Sequence, residues 1–321
     1  MSETLQWIGI RDERLNVLGL PWHKIKYPYA WRIPGDVQDR IPDRVREQAR
    51  YSSGGRVLFC CTAKQLHLRV SALAPKRPGS LDVYVNGEYW KSEIIDPNRH
   101  SEIAVFDGVG CSKKDVTLYL PCYQEAAVLA LGVDAEAVFY ACAPFASDLP
   151  LVFYGSSVVQ GAGAFRPSMT YEAILSRNLN VDFVNFGFGG VGKAEPDVVD
   201  LVNQIEASAY ILDLGKSYGM QSSEPYAAML GAIRTQHPAT PVFCVTPIYS
   251  AKERYDPEYA KLSRHTRQVV ERSVNSQGFV ADAHLHLVDG LCLLGPKDAG
   301  GFVRGRRASQ RIGLPHHRDA P

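Results

Sequence analysis

Hydrophobic and polar positions change rhythm near the middle of the chain. Up to about residue 145 the apolar runs are short and closely spaced. Residues 56–61 form one such run, and residues 66–70 alternate apolar and polar with the period of two expected of a half-buried strand. Residues 81–90 place β-prone side chains on both sides of Asn86-Gly87, a dipeptide that tolerates the two positive φ angles of a tight hairpin turn. Further strands are expected at 101–106, 115–120, 126–131 and 137–141. Many short strands separated by turn signals predict an antiparallel β-sandwich over residues 1–145.

From Leu149 onward strands and helices alternate. Apolar strand candidates at 151–154, 182–186, 210–214, 242–245 and 279–281 are separated by helical periodicity at 170–178, 197–207, 225–236 and 257–276. This rhythm predicts an α/β domain over residues 146–321, three-layered, with a parallel sheet covered on both faces. The segment 143–148 reads as the linker.

Composition narrows the function classes. A chain of 321 residues with 45% hydrophobic and 21% charged residues reads as an ordinary globular protein. A net charge of +1 offers no footprint for nucleic acid or an anionic membrane. The N-terminus shows no secretory pattern and no apolar run has membrane-spanning length, which points to the cytoplasm. The seven cysteines include no CxxC pair, so the spacing reads as free thiols in a reducing compartment and gives no structural zinc motif.

Chemistry concentrates where strands end. The run Leu151-Val152-Phe153-Tyr154 stops at Gly155-Ser156-Ser157, and Gly161 follows. A serine held at the carboxyl edge of a parallel sheet stands where α/β proteins bind ligands, and becomes a nucleophile if a base and an oxyanion site converge on it. Taken alone, Ser157 also fits a helix cap and the glycines a tight turn. The next strand end, Asn185-Phe186-Gly187-Phe188-Gly189-Gly190-Val191-Gly192-Lys193, supplies backbone N–H groups that a ligand can approach closely. The third strand ends in Asp213-Leu214-Gly215-Lys216-Ser217.

At these residues the chain resembles the SGNH (GDSL-type) serine hydrolases. Gly155-x-Ser157-x-x-x-Gly161 is similar to their first block, with Ser157 in the nucleophile's place. Asn185-x-Gly187-x-x-Gly190 is similar to the second, which assigns an oxyanion N–H to Gly190. The third block carries an asparagine that donates to the oxyanion, and Ser217 stands at that position here. Gly79-Ser80-Leu81-Asp82-Val83-Tyr84 resembles the GxDLY motif of a β-sandwich that precedes such hydrolases. The resemblance implies ester hydrolysis or acyl transfer, with a small acyl group such as acetyl on a carbohydrate or small metabolite. It implies no cofactor or metal, and no nucleic-acid or membrane partner.

The fourth block of that family is Asp-x-x-His, whose imidazole takes and returns the serine proton. After Ser157 the histidines are His237, His265, His284, His286, His316 and His317, and none follows an aspartate by three residues. From Arg304 the tail is basic and lacks apolar periodicity. One set of codons for Arg304-Gly305-Arg306-Arg307-Ala308-Ser309-Gln310-Arg311 reads, one base later, as Ala-Asp-Gly-Val-His-Pro-Asn. A frame shift near Val303 is therefore expected to have removed the catalytic acid and base. His284 and His286, with Asp282 and Asp289 nearby, are the replacement candidates.

Two other readings compete. Residues 187–194 fall one hydroxyl short of a phosphate-binding P-loop, because Ala194 stands in place of the Ser/Thr. Tyr84, Tyr89 and Trp90 offer aromatic faces for a sugar in a non-catalytic binding module, although core or cross-strand packing is the stronger account of them.

Overall fold

The computed structural model describes residues 5–24, 30–74, 79–96 and 100–301. Among them the first half contributes β1 (Leu5–Gly9), β2 (Asn16–Leu18), β3 (Arg56–Cys61), β4 (Leu66–Ala74), β5 (Gly79–Val85), β6 (Glu88–Ile95), β7 (His100–Phe106), β8 (Lys114–Tyr119), β9 (Glu125–Asp134) and β10 (Phe139–Tyr140), with helix α1 (Asp43–Ala49) between β2 and β3. One sheet has the order β1-β9-β4-β7 and a second runs β10-β3-β8-β5-β6, with all neighbours antiparallel. Their inner faces share a core of Phe59, Leu66, Leu68, Val83, Leu118 and Leu131, all fully buried. The hairpin forms as the sequence predicts: Val85 pairs with Glu88, and Asn86 and Gly87 both take positive φ, 52° and 78°.

The second half contributes β11 (Leu151–Gly155), α2 (Tyr171–Leu179), β12 (Phe183–Gly187), α3 (Pro196–Asn203), β13 (Ala209–Asp213), α4 (Glu224–Gln236), β14 (Val242–Val245), α5 (Pro257–Val274), β15 (Leu285–Val288) and α6 (Gly290–Leu293). The five strands form a parallel sheet in the order β12-β11-β13-β14-β15. Buried faces on both sides explain the near-continuous apolar runs. The fifth strand differs from expectation. Residues 279–281 lie in turns, with Asp282 N–H donating to Phe279 O, and the strand begins six residues later at Leu285. Three apolar residues after Gly278 imitate a strand locally, but pairing with β14 decides the matter.

Residues from the first half enter the core of the second. Ile33, Val37, Ile41, Val45 and Ala49 join Val152, Tyr154, Phe186, Tyr210, Leu230 and Ile233 in one cluster. On the other side of the sheet Phe153 and Phe183 meet Ala173 of α2 together with Tyr84 and Tyr119 of the sandwich. The sandwich is also tied on by charge. Arg56, with only 3% of its surface exposed, pairs with Asp182, donates to Phe183 O at 2.9 Å and lies on the Phe183 ring. Asp82 of the GxDLY-like motif is fully buried. It accepts from Ser168 N–H at 2.9 Å and from Ser92 Oγ at 2.5 Å.

Candidate active site

Three strands bring their carboxyl ends level. Gly155 pairs with Gly187 on one side and with Asp213 on the other, so the Ser157 turn, the glycine turn and the Gly215 turn sit side by side. The junction tolerates no side chain at two of these positions. A Cβ on Gly155 would stand 2.0 Å from Asp213 O, and one on Gly187 would stand 2.1 Å from the backbone nitrogen of Gln160. Both glycines are explained by backbones in contact.

After Gly155 the chain enters a series of tight turns, and the next α-helix begins only at Tyr171. Ser156 N–H donates to Asp213 O at 3.0 Å, while Gln160 N–H donates to Ser156 O at 3.0 Å and Ala162 N–H to Ser157 O at 2.7 Å. Tyr123 of the sandwich half donates its hydroxyl to Ser157 O at 3.3 Å. Ser157 keeps 8% of its surface exposed, at the edge of the sheet.

The glycine turn lies directly against this serine. A Cβ on Gly189 would sit 3.2 Å from Ser157 Cβ. Gly189 N–H is committed, because it donates to Gln160 Oε1 at 2.7 Å and also to Gln48 Oε1. Gln48 Nε2 returns a bond to Gly189 O at 2.8 Å. Gly190 is left-handed with φ of 77°, and its N–H donates to no group among the described residues. The turn therefore presents one unspent donor beside a serine, which is the element an oxyanion hole requires. Ser217 lies in the 3-10 turn Gly215–Tyr218 after β13 and is partly exposed.

Neither glutamine, nor the arginine beneath the turn, is foreshadowed by a motif. Arg32, 1% exposed, donates to Gly187 O at 2.6 Å, Asn185 O at 3.2 Å, Asn185 Oδ1 at 3.3 Å, Gln48 O at 2.7 Å and Tyr51 O at 2.9 Å. Its guanidinium also lies on the Phe188 ring. Burial pulls its pKa down to about 10, so it remains a cation at neutral pH. Asn185 Nδ2 in turn bonds Val159 O, joining the second strand end to the Ser157 turn.

Acidic groups are buried behind the serine. Burial raises Asp213 to about 6, against the opposing pull of Lys216. Glu172 is fully buried, and burial lifts its carboxyl well above the ordinary range, with Asp213 adding to the rise. Neither Glu172 carboxyl oxygen makes a well-formed hydrogen bond.

The replacement-base candidates do not converge on Ser157. His284 precedes β15 at the amino edge of the sheet, where its carbonyl accepts from Val242 N–H and from Arg234. His286 stacks on Phe243 of β14, with ring centroids 4.9 Å apart. β15 lies three strands from β11, roughly 14 Å at ordinary strand spacing. Asp282 is held by Arg234, and Asp289 caps α6. His237 bonds Asn203 O at 2.9 Å and His265 bonds Gln221 O at 2.7 Å. His316, His317 and the tail from Arg304 lie outside the described residues.

The P-loop reading is also corrected. The N–H groups of Gly192 and Lys193 are taken by the Glu195 carboxylate, at 3.2 and 2.6 Å, where a nucleotide phosphate would have to sit. Ala194 is left-handed, and α3 starts two residues later. In the sandwich, Tyr84 and Tyr89 are cross-strand partners meeting edge to face, and Trp90 meets Phe106 edge to face. Tyr89 lies against Tyr84 and Arg166, whereas Trp90, unpaired at a register shift in β6, lies against Phe106. They form no joint platform.

Comparison with known proteins agrees with this geometry. The GDSL-like lipase/acylhydrolase family matches residues 148–310, and the N-terminal domain of SGNH-hydrolase-type esterases (GxDLY) matches residues 5–139. The chain belongs to the GDSL-like lipase/acylhydrolase family and is a serine ester hydrolase of the SGNH type. Among solved structures it is similar to a salicylyl-acyltransferase from a tetracycline biosynthetic pathway, with 23% identity and a TM-score of 0.81 over 92% of this chain and 88% of that one. A GDSL-like lipase from Bacteroides ovatus gives 23% identity and 0.77 over 89% and 87% of the two chains. An acetyl xylan esterase from the rumen bacterium Butyrivibrio proteoclasticus gives 14% identity and 0.59 over 89% of each. No curated protein matches the sequence. Among the described residues, no helix is long and apolar enough to cross a membrane.

Proposed function

We propose that Ser157 is the nucleophile of an acyl-ester hydrolase or acyltransferase acting on a small acyl group, such as acetyl, carried by a carbohydrate or small metabolite. The observation that carries this reading is the contact of Ser157 with the glycine turn at Gly189, whose next residue, Gly190, has an N–H that no described residue takes. Ser157 Oγ attacks the ester carbonyl. The negative charge that develops on the carbonyl oxygen is met by the N–H groups of Gly190 and Ser157, with the Ser217 hydroxyl as a further donor. Collapse expels the alcohol and leaves an acyl-serine, which water hydrolyses or a second alcohol captures. The acyltransferase and acetyl xylan esterase named above support the acyl-transfer class and the carbohydrate option.

In our reading the in-frame tail, which has no Asp-x-x-His, supplies no base for the serine proton. The family match runs on to residue 310, through the stretch whose shifted reading restores Asp-x-x-His. In our reading the catalytic pair belongs there, and the chain with the tail Arg304–Pro321 holds a nucleophile and oxyanion hole without their proton acceptor.

The test compares this chain with one carrying the shifted tail on short p-nitrophenyl esters, with Ser157→Ala in each. Restored activity that vanishes with Ser157→Ala is expected. Equal activity in the two tails overturns the account of the base, and activity surviving Ser157→Ala overturns that of the nucleophile. Sequencing the coding DNA across Val303 checks the codons directly.

A further inference from the structure

Three sulfur and oxygen ligands converge on the outer face of the sandwich, away from the hydrolase site. On β3, Phe59 and Cys61 point into the sandwich core, so Cys60 between them points outward. Its partner across the ladder on β8 is Asp115, and its partner on β10 is Tyr140, two residues before Cys142. Strand alternation therefore brings the Cys142 side chain over the same face. The Cys60 and Cys142 sulfurs and an Asp115 carboxyl oxygen all lie within 4.8 Å of one another. Cys60 is nonetheless only 4% exposed, because the other two cover it.

We propose that Cys60, Asp115 and Cys142 form a binding site for a sulfur-seeking divalent cation of the zinc type. A tetrahedral zinc with Zn–S of about 2.3 Å and Zn–O of about 2.0 Å separates its ligands by about 3.5–3.8 Å. That lies inside the 4.8 Å span of the cluster, and the Cys60 thiol, hydrogen-bonded to the Asp115 carboxylate while the site is empty, parts from it to admit the ion. Water or the carboxamide oxygen of Asn16, whose Nδ2 lies 4.0 Å from Cys142 Sγ, completes four ligands. Binding displaces one proton from each thiol to solvent, so two thiolates and a carboxylate face a dication and the site carries one net negative charge. Lys113, which sits over the Tyr140 ring and acts electrostatically on Cys142, offsets that charge. Without a cation the Cys60 thiol donates to an Asp115 carboxylate oxygen. A bound cation also fastens the first residues after β10 to the sandwich, where the chain leaves for the hydrolase half.

CxxC-type spacing does not reveal this site, because its ligands are separated by 55 and 27 residues and meet only through strand register. The experiment uses the untagged full chain, reduced with a phosphine, and titrates it with zinc against a chromophoric chelator. Cobalt is the spectroscopic probe. One zinc per chain is expected, with a thiolate-to-cobalt charge-transfer band and the visible bands of a tetrahedral ion. Cys60→Ser and Cys142→Ser should each weaken binding at least 100-fold, and Asp115→Asn about 10-fold. Cys111→Ser and Cys292→Ser, at exposed thiols elsewhere, should leave it unchanged. Zinc should raise the melting temperature of the native chain but not of Cys60→Ser, and circular dichroism of each variant confirms that it folds. The proposal fails if the native chain binds no more zinc than the Cys60→Ser/Cys142→Ser double variant. It fails equally if, with the phosphine removed and air admitted, zinc does not slow formation of a Cys60–Cys142 disulfide, dioxygen taking the two electrons and two protons, read as a loss of two mass units in the linked peptides.

Discussion

Arg32 donates to the carbonyl oxygen of Gly187 at 2.6 Å, across 155 residues of sequence, and so holds the strand end that leads into the oxyanion turn. The guanidinium reaches five backbone or side-chain acceptors in a space with almost no solvent. Hydrogen bonds from a charged donor contribute more than neutral ones, and buried carbonyls left without a donor cost more still. Arg32→Met keeps much of the volume and removes every donor. It is expected to lower the unfolding free energy by about 3 kcal/mol or more, measured by urea denaturation, and Arg32→Lys should recover only a minor part because one ammonium cannot span the same acceptors.

Gln48 acts on geometry more than on stability. Its carboxamide bonds both the N–H and the carbonyl of Gly189, next to the donor assigned to the oxyanion. Because Gln160 also accepts the Gly189 N–H, either glutamine alone holds the turn partly in place. In the chain carrying the shifted tail, Gln48→Ala should slow fluorophosphonate labelling of Ser157 by roughly 10-fold, about 1.4 kcal/mol, with a small change in melting temperature. The Gln48→Ala/Gln160→Ala pair should lose more than the product of the single effects. Strict multiplicativity would mean that the two glutamines do not share a task.

Glycines in the site separate into two kinds. Gly155→Ala places a Cβ 2.0 Å from a backbone oxygen that has no room to retreat, so loss of soluble, folded protein is expected. At Gly190 a Cβ meets open space, yet φ is 77°. Gly190→Ala should therefore fold with a penalty of roughly 1–2 kcal/mol while turning the N–H away from the carbonyl. In the chain carrying the shifted tail, circular dichroism and fluorophosphonate labelling together distinguish these outcomes: native spectra for Gly190→Ala with strongly reduced labelling, and no native spectrum for Gly155→Ala.

Buried acids set the pH dependence of stability. Folding raises the pKa of Asp213 to about 6 and that of Glu172 further above its ordinary value. A raised carboxyl favours the folded state fully below the unfolded pKa, near 4, and loses that advantage as pH climbs through the folded pKa. Stability should accordingly fall from about pH 4 through pH 6 on account of Asp213, and Glu172 contributes a fall of the same sign. Glu172→Gln should match the native chain at pH 4 and exceed it at pH 8, as read by denaturation midpoints at the two pH values. A native-like decline in Glu172→Gln above pH 6 would assign the effect elsewhere.

Much of the architecture is legible from local signals. The Asn86-Gly87 hairpin, the four strands β11 to β14 and the helices between them follow from turn chemistry and periodicity, because each depends on neighbours a few residues away. The placement of Ser157 and Gly190 at neighbouring strand ends is legible for the same reason, each preceded by a glycine, Gly155 or Gly187, that a close backbone approach demands. Arg32 and Gln48 are not, since an arginine and a glutamine in a polar stretch look like solvent-facing residues until the second half folds over them. The fifth strand fails similarly: 279–281 and 285–288 are both short apolar runs, and only pairing with β14 separates them. The zinc-type cluster depends on strand register, which no spacing rule records.

The entry of residues 33–49 into the core around β11 and β13 has a consequence for how this protein comes into being. Across the seam at residues 143–148 the hydrolase half draws part of its interior from the earlier segment. During synthesis that segment emerges more than 100 residues before its partners and must wait with its apolar side uncovered. A fragment beginning at the seam would inherit Ser157 and both glycine turns but neither Arg32 nor Gln48, and so would carry the reacting atoms without the scaffold that aims them.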